Sequence, residues 1–329
     1  MQQPFGTGKV CRSRRSPAIN LLMTSNESTV TVNRPIVLGE VLFDCFENRQ
    51  RVLGGAPFNV AWNLQGLGES PLFLSAIGDD DLGQSVLQTM KNWDMDSTGL
   101  QVVSDRPTGT VQVSVDNGQP SYQIVEHQAY DFIDQARLLK DARLADQPTE
   151  SMLYCGTLAL RGAANRQSIQ ALIAQWTGPR FVDLNLRPPH FDPAWLPALL
   201  DNATWVKLND EELAELTGKT IQDPDSIVQA VAIMRSRYGQ ANYLVTCGSR
   251  GAHALMGDNR FFQPAVAPDQ LMDTVGAGDA FTAATMAGLI NDIPIDRTLA
   301  AASRLASRVC TLKGATTMDR TLYHGLFTA

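Results

Sequence analysis

The sequence is poor in the residues that build metal centres and disulfide frameworks. It has four histidines, at 127, 190, 253 and 324, and five cysteines, at 11, 45, 155, 247 and 310. No Cys-x-x-Cys pair occurs and no two histidines stand at ligand spacing, which argues against a zinc site or a disulfide scaffold. Scattered single cysteines suit a reducing compartment, so a cytoplasmic location is expected. No apolar run reaches the ~20 residues of a membrane-spanning helix. Positive charge is also in deficit: 27 Lys and Arg stand against 34 Asp and Glu, for a net charge of −7. An acidic chain is a poor non-specific binder of nucleic acid or anionic membrane, and neither partner is expected. Nucleotides are not excluded, because their sites use local backbone N–H groups, a few basic side chains and Mg²⁺.

The 329 residues, 44% of them hydrophobic, suffice for a sizeable α/β core. Residues 1–33 show no helical or strand period and hold Lys9, Arg12, Arg14 and Arg15 against the single acid Glu27. Such an Arg- and Ser-rich leader has the composition of a transit peptide, of a disordered tail, or of an over-long start before Met23. The tail is the reading adopted, with the folded domain over residues 34–329. From there strand-like and helix-like runs alternate. Strands are expected at 35–42, 72–77, 152–155, 181–184, 205–208 and 242–246. Helices are expected at 57–67, 81–93, 163–176, 225–238, 280–290 and 296–312; in the second, Leu82, Val86, Leu87, Met90 and Trp93 share one face. This alternation predicts a mostly parallel sheet covered by helices on both faces.

Two segments interrupt it. Residues 45–53 read as a short polar strand ahead of Gly54-Gly55. Residues 110–115 and 121–125 read as a hairpin turning at Asn117-Gly118. Together, over about 45–53 and 106–128, they predict a small second sheet, a lid. Val111, Val113 and Val115 alternate with Gln112 and Ser114, so one lid face is expected to be apolar and covered by the lid of a second copy.

The chemistry concentrates in DTVGAGDAF, residues 273–281. Gly276-Ala277-Gly278 opens a helix pattern, and a helix N-terminus presents free N–H groups and a positive dipole end to an anion. Asp279 follows directly, placed to take a proton from a hydroxyl attacking phosphorus. Taken alone, the segment reads equally as a glycine turn with an N-cap aspartate. Gly54-Gly55-Ala56-Pro57-Phe58-Asn59 permits close approach of a ligand, and Asn59 both donates and accepts hydrogen bonds. Asp44, at the end of the first expected strand, lies where open α/β sheets bind ligands. A Rossmann oxidoreductase would also alternate strands and helices, yet it should carry Gly-x-Gly-x-x-Gly after the first strand, and here GAGD stands near the C-terminus. A non-catalytic binding protein would be favoured by loss of the base, which is present.

With both glycine segments in this order, and with Asn209-Asp210-Glu211-Glu212 and Thr246-Cys247-Gly248-Ser249-Arg250-Gly251 between them, the sequence resembles the ribokinase-like (PfkB) carbohydrate kinases. That resemblance implies a three-layer α/β fold with a β lid, and ATP-dependent phosphorylation of a sugar. It implies Asp279 as base, with Gly276, Ala277 and Gly278 as the anion hole. Asp44, Gly54, Gly55 and Asn59 would hold sugar hydroxyls. Asn209 and Glu212 would organise Mg²⁺ through water, and Thr246, Gly248 and Gly251 would line the ATP site. Asp273, with residues 311–315, would hold a monovalent cation such as K⁺, and a homodimer through the lid is implied.

Within the family the resemblance is to bacterial fructokinases. It rests on Gly39-Glu40-Val41-Leu42-Phe43-Asp44, the run at 56–61, Ala129-Tyr130-Asp131-Phe132 and Asp183-Leu184-Asn185-Leu186-Arg187-Pro188. The Asp183-x-Asn185-x-Arg187 pattern also resembles 2-keto-3-deoxygluconate kinases, so Arg187 would face either the phosphoryl group or a substrate carboxylate. Asp131 is expected near the lid and, if it faces the pocket, would repel an anionic sugar. Fructose is the expected substrate.

Overall fold

Short runs rich in Leu, Val, Ile and Phe bury on both faces here, which is how strands of a covered parallel sheet read. The structure, a computed structural model, describes Met1 and residues 34–116, 119–142 and 151–327. The expected tail over 1–33 and the Asn117-Gly118 turn lie outside the described residues, Met1 apart. In chain order the strands are β1 (Ile36–Leu38), β2 (Leu42–Phe46), β3 (Arg51–Gly54), β4 (Leu72–Gly78), β5 (Leu100–Val103), β6 (Gly109–Asp116) and β7 (Gln119–Ile124). They continue with β8 (Leu153–Gly156), β9 (Arg180–Asp183), β10 (Trp205–Asn209), β11 (Asn242–Thr246), β12 (Ala252–Met256) and β13 (Asn259–Gln263). The helices are α1 (Ala56–Gly66), α2 (Asp81–Asn92), α3 (Gln135–Asp141), α4 (Ala163–Gln175), α5 (Leu196–Leu200), α6 (Asp210–Thr217), α7 (Pro224–Tyr238), α8 (Ala277–Ile290) and α9 (Ile295–Val309).

The central sheet runs β13-β12-β11-β10-β9-β8-β1-β4-β5. Among the described residues it is parallel from β11 to β5, and β12 and β13 are added antiparallel. Successive side chains of β1 enter different layers: Ile36 and Leu38 join one core, Val37 the other. Leu138, Leu172, Leu199, Leu213 and Met234 of α3 to α7 complete the first core. Phe58, Met90, Ala284 and Leu305 of α1, α2, α8 and α9 complete the second. Each such fully buried large side chain contributes about 1.5–3 kcal/mol of hydrophobic free energy.

The first strand departs from expectation. Residues 35–42 do not run on as one strand: β1 stops at Leu38, and the chain leaves the central sheet at Gly39. There the backbone passes so close to Pro57 that an added Cβ would stand 2.3 Å from its Cγ. β2 therefore belongs to the lid, whose order is β3-β2-β6-β7, and Asp44 sits on that lid opposite Val52 and Val111. The lid valines also differ from expectation. Val111 and Val113 are already buried within this chain, against Leu42, Tyr130 and Leu158. β5, β12, β13, α3, α5 and α6 were not anticipated. The helices among them are five to eight residues long, too short to display a period, and β13 is an edge strand of mixed polarity.

Candidate active site

The carboxyl ends of β8, β10 and β11, the start of α8 and the inner face of the lid enclose a cavity of about 1440 Å³. Nearly all the residues predicted from sequence line it: Asp44, Gly54, Gly55, Asn59, Arg187, Asn209, Glu212, Thr246, Asp273, Gly276, Gly278 and Asp279. Ala277 opens α8 between them. Gly248 and Gly251 lie in the turn that follows Thr246, outside the lining residues.

Gly276 precedes α8 as its N-cap, adopts the left-handed conformation (φ 78°) and offers no capping side chain. A Cβ there would stand 2.3 Å from that of Ala315, so glycine is required both by conformation and by space. The Ala277 amide donates to the Thr274 carbonyl at 3.3 Å, and no side chain caps the rest of the first turn, where Gly278 and Asp279 line the cavity. Asp279 stands in this first turn. Its Oδ2 accepts a hydrogen bond from Asn59 Nδ2 at 2.8 Å. Burial raises its pKa to about 6, against the opposing influence of the Asn59 bond and the Lys207 charge. Asn59 therefore reaches Asp279 as well as the cavity, and its buried Oδ1 has no protein partner.

Below this turn lies an ion pair that sequence reasoning did not assign. Lys207 Nζ donates to both oxygens of Asp183, at 3.0 and 3.1 Å, and Asp183 Oδ2 also accepts from Thr282 Oγ1 at 3.1 Å. Burial opposes the charge on Lys207, but Asp183, Glu212 and Asp279 more than offset it and its pKa rises. The signal available in the sequence was its place two residues before Asn209, since alternate residues of β10 share a face.

Asn209 and Glu212 form a reciprocal cap at the start of α6. Asn209 Oδ1 accepts from Glu212 N at 2.7 Å, and Glu212 Oε2 accepts from Asn209 N at 2.8 Å. Glu212 Oε1 accepts from Leu186 N at 2.8 Å, tying α6 to the segment that carries Arg187. Asp273 Oδ1 accepts from Val275 N at 3.0 Å, and Lys313, Gly314 and Ala315 line the cavity with it. Among the described residues no group of three or more His, Cys, Asp or Glu side chains stands together as a metal cluster.

A second residue missed from the sequence is Glu40, which was noted only as part of a resemblance. It is buried beside the cavity, its Oε2 has no partner, and burial raises its pKa to about 7, with Arg187 acting against this and Asp279 adding to it. Asp131 corrects an expectation. It is buried in an ion pair with Arg161 at 2.6 Å and lies outside the cavity lining, so it presents no charge to a substrate.

The sequence profile described as pfkB family carbohydrate kinase matches residues 40–322. The chain belongs to this family. It is 30% identical over 300 residues to a fructokinase of Klebsiella pneumoniae, covering 85% of this chain and 94% of that one. Against a fructokinase of Salmonella typhimurium it is 29% identical over 308 residues, with the same shares covered. The crystal structure of a fructokinase from Vibrio cholerae O395, with fructose, ADP and calcium bound, superposes with a TM-score of 0.75 at 26% identity. That match covers 90% of this chain and 99% of the other. The chain is a carbohydrate kinase with the ribokinase-like fold, and the glycine turn before α8, the Asp279 carboxylate and the lid meet at one cavity. Among the described residues no helix is long and apolar enough to cross a membrane.

Proposed function

We propose that this carbohydrate kinase transfers the γ-phosphoryl group of ATP to a primary hydroxyl of fructose, giving fructose 6-phosphate. The observation that carries the reaction is Asp279, a cavity-lining carboxylate of raised pKa in the first turn of α8, which no side chain caps. The hydroxyl oxygen bonds to the γ-phosphorus, its proton passes to Asp279, and the bond to the bridging oxygen breaks with its electrons left on ADP. The protein's part is positioning and charge stabilisation. Asp44, Gly54, Gly55 and Asn59 hold the sugar. Thr246, with the turn carrying Gly248 and Gly251, receives the nucleotide.

Glu212 keeps lone pairs beyond its two backbone bonds and lines the cavity with Asn209, which suits Mg²⁺ held through water. Bound there, the ion would neutralise phosphate charge. Asp273 and the adjoining loop suit a monovalent cation such as K⁺. A cytoplasmic location agrees with the unpaired Cys45, Cys155, Cys247 and Cys310. A two-fold homodimer through the lid is supported by its edge strands β3 and β7 and by Tyr122, 58% exposed. Light scattering that found only monomer at micromolar concentration would remove the dimer.

Fructose follows from the names of the relatives and from the Asp44 and Asn59 side chains, which suit neighbouring hydroxyls. A specific observation favours a second reading, 2-keto-3-deoxygluconate. Arg187 is exposed on the cavity wall, and Asp131 presents no opposing charge. A coupled assay at equal sugar concentrations decides between them, with ribose and adenosine as further acceptors. Fructose should show the highest kcat/KM. A preference for the keto acid, lost in Arg187→Ala, would replace fructose and leave the kinase in place.

A further inference from the structure

The Lys207–Asp183 pair is fully formed beside the reacting groups and no role assigned so far uses it. Two features separate it from an ordinary structural ion pair. First, it lies against the anion-binding turn: a methyl group placed on Gly278 would stand 3.5 Å from Lys207 Nζ. Second, Lys207 lines the same cavity as Asp279 and Glu212 and feels the charge of both. An ammonium carries three N–H donors, and the bonds to Asp183 account for two. Asp183 is itself anchored by Thr282, on the next turn of α8 after Asp279. The pair is therefore held by the helix that carries the base.

We propose that Lys207 is a catalytic cation, which supplements the α8 amides by binding an equatorial oxygen of the phosphoryl group in flight, and that Asp183 is its positioning residue. This rests on the reading of Gly276–Gly278 as the anion hole and Asp279 as the base. As the new bond to phosphorus forms and the bond to ADP breaks, negative charge is shared among the phosphoryl oxygens and the bridging oxygen. A positive charge fixed beforehand beside those oxygens stabilises that state without reorganisation. Held against Asp183, the ammonium is oriented before substrate arrives. A wholly structural pair would neutralise Asp183 and do nothing at phosphorus.

Three variants test this beside the wild type: Lys207→Met, the charge-balanced double variant Asp183→Asn with Lys207→Met, and Asp279→Asn. Lys207→Met should lower kcat by about 10²–10³-fold, the scale of losing one preorganised donor. KM for ATP and for the best sugar of the panel should stay within about threefold, as for an interaction made in the transition state. The double variant removes both charges, so any destabilisation from an orphaned Asp183 should be relieved while kcat stays low. If Lys207→Met alone does not fold, the double variant carries the test.

Binding of ADP with aluminium fluoride and that sugar, read by calorimetry, should weaken in the double variant about as much as kcat falls, while ADP alone binds normally. Recovery of wild-type kcat in the double variant, or a loss confined to KM, would overturn the proposal and leave the pair structural. Asp279→Asn separates the two levels: near-normal kcat there removes the base reading itself, whatever Lys207 does.

Discussion

At the floor of the cavity three charged groups are held by partners: Asp279 holds Asn59, Lys207 holds Asp183, and Glu212 holds two backbone amides, while Glu40 keeps one oxygen unpartnered. On the lid, Asp44 has no side-chain hydrogen bond or ion pair among the described residues, and burial alone raises its pKa. Floor residues come from β9, β10, α1, α6 and α8, elements locked between two hydrophobic layers. The lid packs on a much smaller cluster of Leu42, Val111, Val113, Tyr130 and Leu158. A floor whose Asp279, Lys207 and Glu212 are held by partners suits chemistry that needs fixed geometry. A lid with an unpaired acid suits recognition, since a sugar hydroxyl can replace the missing partner.

That contrast can be broken by experiment. The largest effect should be at the floor. Asp279→Asn should lower kcat by on the order of 10²–10⁴-fold while ATP affinity survives, because it removes the base from a cradle otherwise made of backbone. Retained turnover would mean that the proton leaves by another route. On the lid, Asp44→Ala should cost about 10- to 100-fold in kcat/KM, mainly through KM for the sugar. If instead kcat fell and KM held, Asp44 would belong with the chemistry and the division between floor and lid would be wrong.

The smallest effect is the pH response. An acid whose pKa is raised to about 6 is neutral below that value and cannot act as base. kcat/KM should therefore fall as pH drops below about 6, approaching tenfold per unit. Asp44→Asn should leave this limb in place at a lower plateau. A wild-type profile flat down to pH 5 would show that Asp279 is not the titrating base.

Much of the floor was legible because its residues are local in sequence. GAGD places the proposed anion site and base within one helical turn, and Asn209 forms a cap with Glu212 three residues on. The lid was legible as strands but misread in detail. The short run 35–42 carries one hydrophobic pattern while serving two sheets, and the pattern cannot show which neighbours it will meet. Asp131 was misplaced for a related reason: an acid near the lid in sequence is neutralised by Arg161, thirty residues away.

By itself, then, the sequence determined the alternation of strands and helices, the parallel class of the sheet and the glycine turn that precedes α8. Those follow from periodicity and backbone chemistry, which act over a few residues. Tertiary structure decided that Asn59 meets Asp279 across 220 positions and that Lys207 rests under Gly278. It also buried Glu40 with an unpartnered oxygen and moved Asp44 from the central sheet to the lid. Each of these depends on desolvation and on contacts between elements far apart in the chain, which no local pattern encodes.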